Sequence, residues 1–372
     1  MIYADNAATT KISKEVLNEM LPFLTENYGN SSSLYSLGSR SRKAIEKARK
    51  QVANAINAEP EEIYFTSGAT ESNNWVINCF KNSTIVISRF EHPSIDVPCN
   101  CFAVKGDMNL KYIPIKCSGE INLRWLNLFW NNSVELVSVM AVNNELGTIQ
   151  PISEIGELCK KHNVLFHTDA TQAIGHIPID VKKMNIDLMS FSGHKFHAPK
   201  GVGVLYIRNG IKLDPFILGG MQENNLRAGT ENVANIVGIG KAIEIATDKL
   251  SEQKELKNKT RILFEKLKEV GGIKLNGDWD NRIAGNLNIC IGGVESESFV
   301  LQMDIDGICI SAGSACHTGS LEPSRSLKAI GLSDKEALSS VRITLDNSIT
   351  DEEIEEMAGK MKRTIRRMRE IL

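Results

Sequence analysis

"DLMSFSGHKFHAP", residues 187–199, opens as an apolar run and ends on an amine. A charge at the edge of a buried segment is costly unless a partner or a reaction uses it. Residues 187–192 read as a strand buried on both faces, and Gly193, His194 and Lys195 follow where it leaves the sheet. Similar short runs recur: "EIYFTS" (62–67), "TIVIS" (84–88), "VELVSVMAV" (134–142), "VLFHTD" (164–169) and "VGVLYIR" (202–208). Between them lie helical patterns such as 153–162, and Ala44, Ala48, Val52 and Ile56 repeat every four residues on one face. Strands alternating with amphipathic helices predict an α/β domain, its sheet largely parallel and covered on both faces.

Past Lys249 the character changes. A polar helical stretch, 248–270, leads to strands at 286–291 and 340–345 and a last helix starting at "TDEEIEEM", with Thr350 as N-cap. The reading is a large domain over 14–250 and a smaller α+β domain formed by 1–13 and 251–372. Composition is that of an ordinary globular chain: 372 residues, 42% hydrophobic, 24% charged, net charge −2. That balance argues against direct nucleic-acid binding through bulk charge. No run reaches the roughly 18 apolar residues of a membrane helix, and "MIYADNAATT" is no signal peptide. The eight cysteines include no CxxC pair, which disfavours a zinc ribbon and points to reduced thiols in the cytoplasm.

In open α/β sheets, ligands bind beyond the carboxyl ends of the strands, and several strands here end in unusual residues. "EIYFTS" runs into "GATESNNW" (68–75), where free N–H groups and the Thr70 hydroxyl suit a phosphate. "VLFHTD" ends on Asp169, with Gln172 a turn later; a buried acid there suits a protonated pyridine nitrogen. Each of these also reads as a plain helix N-cap. Ser192 and His194 can donate to a phosphate, and a desolvated Lys195 suits Schiff-base chemistry. His194 and His197 lack a third metal ligand at a plausible spacing, so no metal is expected. Together, a phosphate cup, a buried acid and a lysine on successive strand ends describe a pyridoxal phosphate site. In "SAGSACHTGSLEPS" (311–324), Cys316 sits in a Gly/Ser/Ala-rich segment beside His317, which makes it a candidate nucleophile. The other seven cysteines read as bland: Cys79, Cys159, Cys290 and Cys309 in apolar helix or strand patterns, and Cys99, Cys101 and Cys117 in a loop region.

The chain resembles the cysteine desulfurases of the class V aminotransferase family, which supply sulfur for iron–sulfur clusters or nitrogenase. The likeness runs nearly end to end, through "YADNAATT", "YFTSGATESNNW", the "EH" at 91–92, "AVNNELG", "HTDATQAIG", "SFSGHK", "RAGTEN", "SAGSAC", "EPS" and "SSVRITL". It implies the aspartate aminotransferase-like fold of pyridoxal phosphate enzymes and a homodimer. It also implies that Lys195 holds the cofactor and takes the substrate Cα proton, that Asp169 faces the ring nitrogen and Gln172 the phenolic oxygen, and that His92 stacks on the ring. Asn144 would lie on the substrate side; Ala69, Thr70, Ser192 and His194 would bind the phosphate, with Thr230 reaching it from the neighbouring subunit. Arg342 would clamp the carboxylate of L-cysteine, and Cys316 would take its sulfur as a persulfide and pass it to an acceptor protein, an iron–sulfur scaffold or a tRNA-thiolation enzyme. The chain departs from the family pattern at Ser31, Tyr35, Ala198, Met221 and Asn224, which bears on the substrate mouth and partner docking rather than on cofactor contacts. The rival activities are a selenocysteine lyase or another class V lyase, and a non-catalytic cofactor-bearing scaffold.

Overall fold

The computed structural model describes residues 1–130, 133–313 and 322–371. In chain order its strands are β1 (Ile2–Tyr3), β2 (Ile63–Thr66), β3 (Thr84–Ser88), β4 (Asn109–Ile113), β5 (Val134–Ser138), β6 (Leu165–Asp169), β7 (Leu188–Ser192), β8 (Gly203–Ile207), β9 (Ile273–Leu275), β10 (Asn286–Ile291), β11 (Ile308–Cys309), β12 (Ser311–Ala312) and β13 (Ser340–Thr344). A seven-stranded sheet has the order β2-β8-β7-β6-β5-β3-β4. The pairs from β7 through β4 are parallel, and β8 runs antiparallel to both neighbours. This is the expected α/β architecture.

The strands' period of two sorts their side chains onto two cores. Val86, Val137, Phe166, Phe191, Val204 and Tyr206 pack on one face with Ala48, Val52 and Ile56 of the helix Ser36–Ile56 and with Ile239 and Ile243 of Val233–Asp248. Ile85, Ile87, Leu136, Leu188, Leu205 and Ile207 pack on the other with Trp75, Ile77, Ile95 and Cys99. The second sheet, β12-β13-β10-β9, is antiparallel throughout. It has its own core with the helices Gln253–Lys268, Ser296–Ile305 and Asp351–Ile371. β1 joins this part of the chain by pairing with β11. Thr350 caps the last helix as expected: its Oγ1 accepts from Glu353 N at 3.2 Å while its own N donates to Glu353 Oε2 at 3.0 Å.

Some local expectations need correction. Cys99 and Cys101 lie in a helix, Pro93–Lys105, and Cys99 is fully buried. Pro98 disguises that helix, since a mid-helix proline leaves the carbonyl four residues earlier without its donor. Here Asn74 Nδ2 donates to that Ser94 carbonyl at 3.2 Å, so the missing bond is replaced. β4 carries Asn109 and Lys111 at an edge, where only half of each residue's surroundings are apolar, which hides it from a hydrophobic pattern. In the run at 134–142 the regular strand ends at Ser138, although Val139 N and Ala141 N still donate to the His167 and Asp169 carbonyls, and the stretch 248–270 has a 3₁₀ turn, Lys249–Glu252, before its α-helix.

Candidate active site

A cavity of about 520 Å³ opens beyond the carboxyl ends of β2, β6 and β7. Ala69, Thr70, His92, Asn144, Asp169, Gln172, Ser192, His194, Lys195 and Arg342 all line it, although they are spread over more than 270 residues of sequence. Thr230 does not line it and is exposed. Cys316 lies outside the described residues.

At one end stands the helix Ala69–Cys79. Its N-cap is Gly68, which brings no capping side chain, so nothing of Gly68 competes for the first-turn N–H groups. The turn fits closely against β8: a Cβ on Gly203 would lie 2.5 Å from Gly68 Cα. Ser192 faces the same turn, with its Oγ 3.6 Å from where a Cβ of Gly68 would be. His194 Nδ1 meets Thr9 Oγ1 at 3.1 Å. Burial first, then Lys195 and Lys200, bring the His194 pKa down to about 4, so the imidazole is neutral at pH 7.

At the other end Asp169 is buried, with Oδ2 accepting from Asn73 Nδ2 at 2.7 Å and Oδ1 from Thr171 N at 2.9 Å. Lys195 Nζ donates to the carbonyls of Ala7 (2.6 Å) and Ala8 (2.7 Å), and Gln172 Nε2 donates to the Ala7 carbonyl at 2.9 Å. His92 is the N-cap of Pro93–Lys105; its Nδ1 accepts from Ser94 N at 3.1 Å and lies 2.7 Å from Ser94 Oγ, which fixes the ring plane. Glu91 beside it is buried, and burial pushes its carboxyl up to about 8 against the pull of Ser88 and Met140 N. Arg342, on β13 of the second sheet, closes the cavity. Its Nη2 pairs with Asp5 Oδ1 at 2.7 Å and its Nη1 donates to the Asn144 carbonyl at 3.1 Å. Its buried Nε has no hydrogen-bond partner among the described residues.

Sequence reasoning did not single out Asn73, Asp5, Ala7 or Ala8. Asn73 carries a signal, a polar residue on the helix face that also buries Ala69, Val76 and Ile77. The alanines carry none, because they act through backbone carbonyls. The segment 5–10 stitches the two sheets together: Ala7 N donates to Thr344 Oγ1 at 2.9 Å, and Thr10 N to the His194 carbonyl at 2.8 Å. The segment carrying Thr230 is anchored too. Arg227 pairs with Glu71 at 2.8 Å, and buried Glu223 takes a bidentate ion pair from Arg49 (2.8 and 2.9 Å). Breaking such a buried pair from one side costs about 3–5 kcal/mol.

Residues 2–357 match the family model for class V aminotransferases. A cysteine desulfurase IscS of Methanosarcina thermophila is 45% identical over 375 residues, covering 99% of this chain and 93% of that protein. A solved NifS-like protein superposes with a TM-score of 0.93 at 35% identity, covering 98% of this chain and 99% of the other. The structure described as SspA in complex with cysteine gives 0.82 at 34% identity, covering 93% and 99%. With the cavity these comparisons lead to one assignment: the chain belongs to the class V aminotransferase family, among its cysteine desulfurases.

Proposed function

We propose that the protein is a pyridoxal phosphate-dependent cysteine desulfurase that converts L-cysteine to L-alanine and leaves the sulfur as a persulfide on Cys316. The observation that carries this is the meeting of Lys195, a buried Asp169 and Arg342 in one cavity. The residues present fit the cofactor. The cavity falls within the roughly 300–1,000 Å³ of small-molecule sites, and it offers a cup of uncapped N–H groups at one end and a buried acid at the other. Ala69, Thr70, Ser192 and His194 would hold the phosphate, Asp169 the ring nitrogen, Gln172 the phenolic oxygen and His92 the ring face.

Bound pyridoxal phosphate supplies an electron sink for the Cα of an amino acid. Asp169, held by Asn73 and Thr171 N, would receive the hydrogen of a protonated ring nitrogen. Lys195 Nζ, steered by the Ala7 and Ala8 carbonyls, takes the Cα proton. Arg342 has a buried Nε donor to spare for a substrate carboxylate, and its other nitrogens are already oriented by Asp5 and Asn144. The Cys316 thiolate attacks the substrate sulfur. An S–S bond forms and the Cβ–S bond breaks, with its electron pair passing to carbon, which takes a proton. L-Cysteine plus the Cys316 thiol therefore gives L-alanine plus the persulfide, with no outside oxidant.

The active unit in this reading is a homodimer, because Thr230 stands exposed outside its own cavity on a segment that also exposes Leu218 and Met221. In this reading the chain divides into a cofactor domain over 14–250 and a smaller one from 1–13 and 251–372; the largely separate cores support it. We place the enzyme in the cytoplasm, passing sulfur to an acceptor protein. None of the described helices is long and apolar enough to cross a membrane. The test is the product balance of purified holoenzyme with L-cysteine and a reductant: one alanine per sulfide is expected. Turnover of selenocysteine alone would make it a selenocysteine lyase, and no turnover would make it a scaffold.

A further inference from the structure

Next to the cofactor cavity lies a second one of about 460 Å³ that shares His92 and Asn144 with it. Glu145 lines the second cavity, and the residue is 5% exposed. Its oxygens are held by two serine hydroxyls: Ser324 Oγ donates to Oε2 at 2.5 Å and Ser326 Oγ to Oε1 at 2.8 Å. A buried carboxyl group needs hydrogen-bond donors, and here both come from one short stretch, residues 324–326.

The backbone of Glu145 is fixed from both sides. Asn143 Oδ1 accepts from Glu145 N and Leu146 N at 3.0 and 2.8 Å, and the Glu145 carbonyl accepts from Asn286 and Asn288 of β10, each at 3.2 Å. Gly147 completes the turn with φ +73°, and a Cβ there would strike Asn286 at 2.5 Å. The turn 143–147 is therefore rigidly docked between the two sheets and presents Asn144 to the cofactor cavity and Glu145 to the second one. On the far side, a Cβ built on Gly313 would lie 3.9 Å from Glu145 Oε2 and 3.7 Å from Ser324 Cβ. The chain on either side of residues 314–321 thus converges on one carboxylate.

We propose that Glu145 is a positioning residue for sulfur transfer, fixing the stretch 324–326 that follows Cys316 against the same turn that carries Asn144. This rests on the desulfurase reading above. Asn144, Arg342 (through the Asn144 carbonyl) and residues 324–326 then share one frame, which ties the chain that follows Cys316 to the residues proposed to read the substrate. A misplacement of about 1 Å costs roughly 100-fold in such a reaction.

The experiment compares holoenzymes of wild type, Glu145→Ala, the Ser324→Ala/Ser326→Ala double variant and the triple variant. Two readouts are taken: spectral titration of the cofactor with L-alanine, which carries no sulfur, and the single-turnover rate at which Cys316 gains sulfur from L-cysteine. The expected result is unchanged L-alanine affinity in all four. Sulfur transfer should fall by roughly 100-fold in Glu145→Ala, by a similar factor in the serine pair, and no further in the triple variant. If Glu145→Ala does not fold, the serine pair alone decides. Full transfer in the serine pair, or loss of L-alanine binding in parallel with transfer, would overturn the proposal. A wild-type enzyme that puts no sulfur on Cys316 would instead overturn the desulfurase reading.

Discussion

The two sheets furnish the active-site cavity in different ways. The seven-stranded sheet contributes residues at strand ends whose partners are already in place: Asp169 held by Asn73 and Thr171, and Lys195 by two carbonyls. The second sheet contributes Arg342, whose ion pair with Asp5 leaves one buried donor unpaired. On the first wall the acid and the amine are held and the open donors are the first-turn N–H groups, which suit a phosphate that stays bound; on the second the spare donor is a buried guanidinium nitrogen, which suits a carboxylate that comes and goes. The contrast assigns cofactor holding to the first sheet and substrate reading to the second.

Changes on the first wall should be the most damaging. Lys195→Ala should abolish turnover, with loss at the upper end of the roughly 10²–10⁴-fold range of general acid–base groups. Borohydride reduction of the wild type should fix the cofactor on the Lys195 peptide and on no other. Asp169→Ala should cut turnover by about 100-fold or more in steady-state assays, the scale of a preorganised charge contact, with the fold retained by circular dichroism. Near-normal turnover in either variant would break the assignment of this wall.

On the second wall the split between constants is diagnostic. Arg342→Lys keeps the charge facing Asp5 but loses the planar fork of donors. The expected outcome is a rise of roughly 10–100-fold in KM for L-cysteine with cofactor content unchanged, the range of one charge-assisted hydrogen bond of about 1.5–3 kcal/mol. Loss of cofactor instead would erase the division of labour between the walls.

The smallest effect concerns pH. Burial brings His167, His176 and His194 down to about 4, against about 6.5 in an unfolded chain. Between those values the unfolded state binds more protons. The stability these histidines contribute is therefore full above pH 6.5 and is lost as pH falls toward 4. Glu91, raised to about 8 from about 4.5, acts in the opposite sense: its contribution is full below about pH 4.5 and is lost progressively as pH rises to 8, so it offsets part of the histidine effect. Urea denaturation should show a fall on the order of 1–2 kcal/mol per buried histidine from pH 6.5 to 5. His176→Gln should flatten that slope, and an unchanged slope would contradict the burial argument.

Why much of this site was legible in the sequence is a matter of which atoms do the work. Lys195, Asp169, Ser192 and His194 act through side chains at the ends of apolar runs, so residue type and position both signal them. Ala7 and Ala8 act through carbonyls, and Asp5 reaches Arg342 across 337 positions, a pairing that only the fold creates. Asn73 shows in the sequence only as a polar residue on a buried helix face; its partner Asp169 is set by the packing of the helix Ala69–Cys79 on β7 and β8, which a local pattern does not state. In the fold, the buried strands were plain from their hydrophobicity. The edge strand β4 and the proline-bearing helix Pro93–Lys105 were not, because their stability comes from neighbours such as β3 and Asn74.

The mechanism turns on sulfur leaving L-cysteine for one particular thiol. The most direct test is peptide mass spectrometry of holoenzyme incubated with L-cysteine and no reductant, with every cysteine-containing peptide mapped. One additional sulfur atom is expected on the peptide bearing Cys316 and on none of the other seven cysteines, with L-alanine formed in equal amount. Sulfur on a different cysteine, or alanine formed at the normal rate by Cys316→Ala, would contradict it.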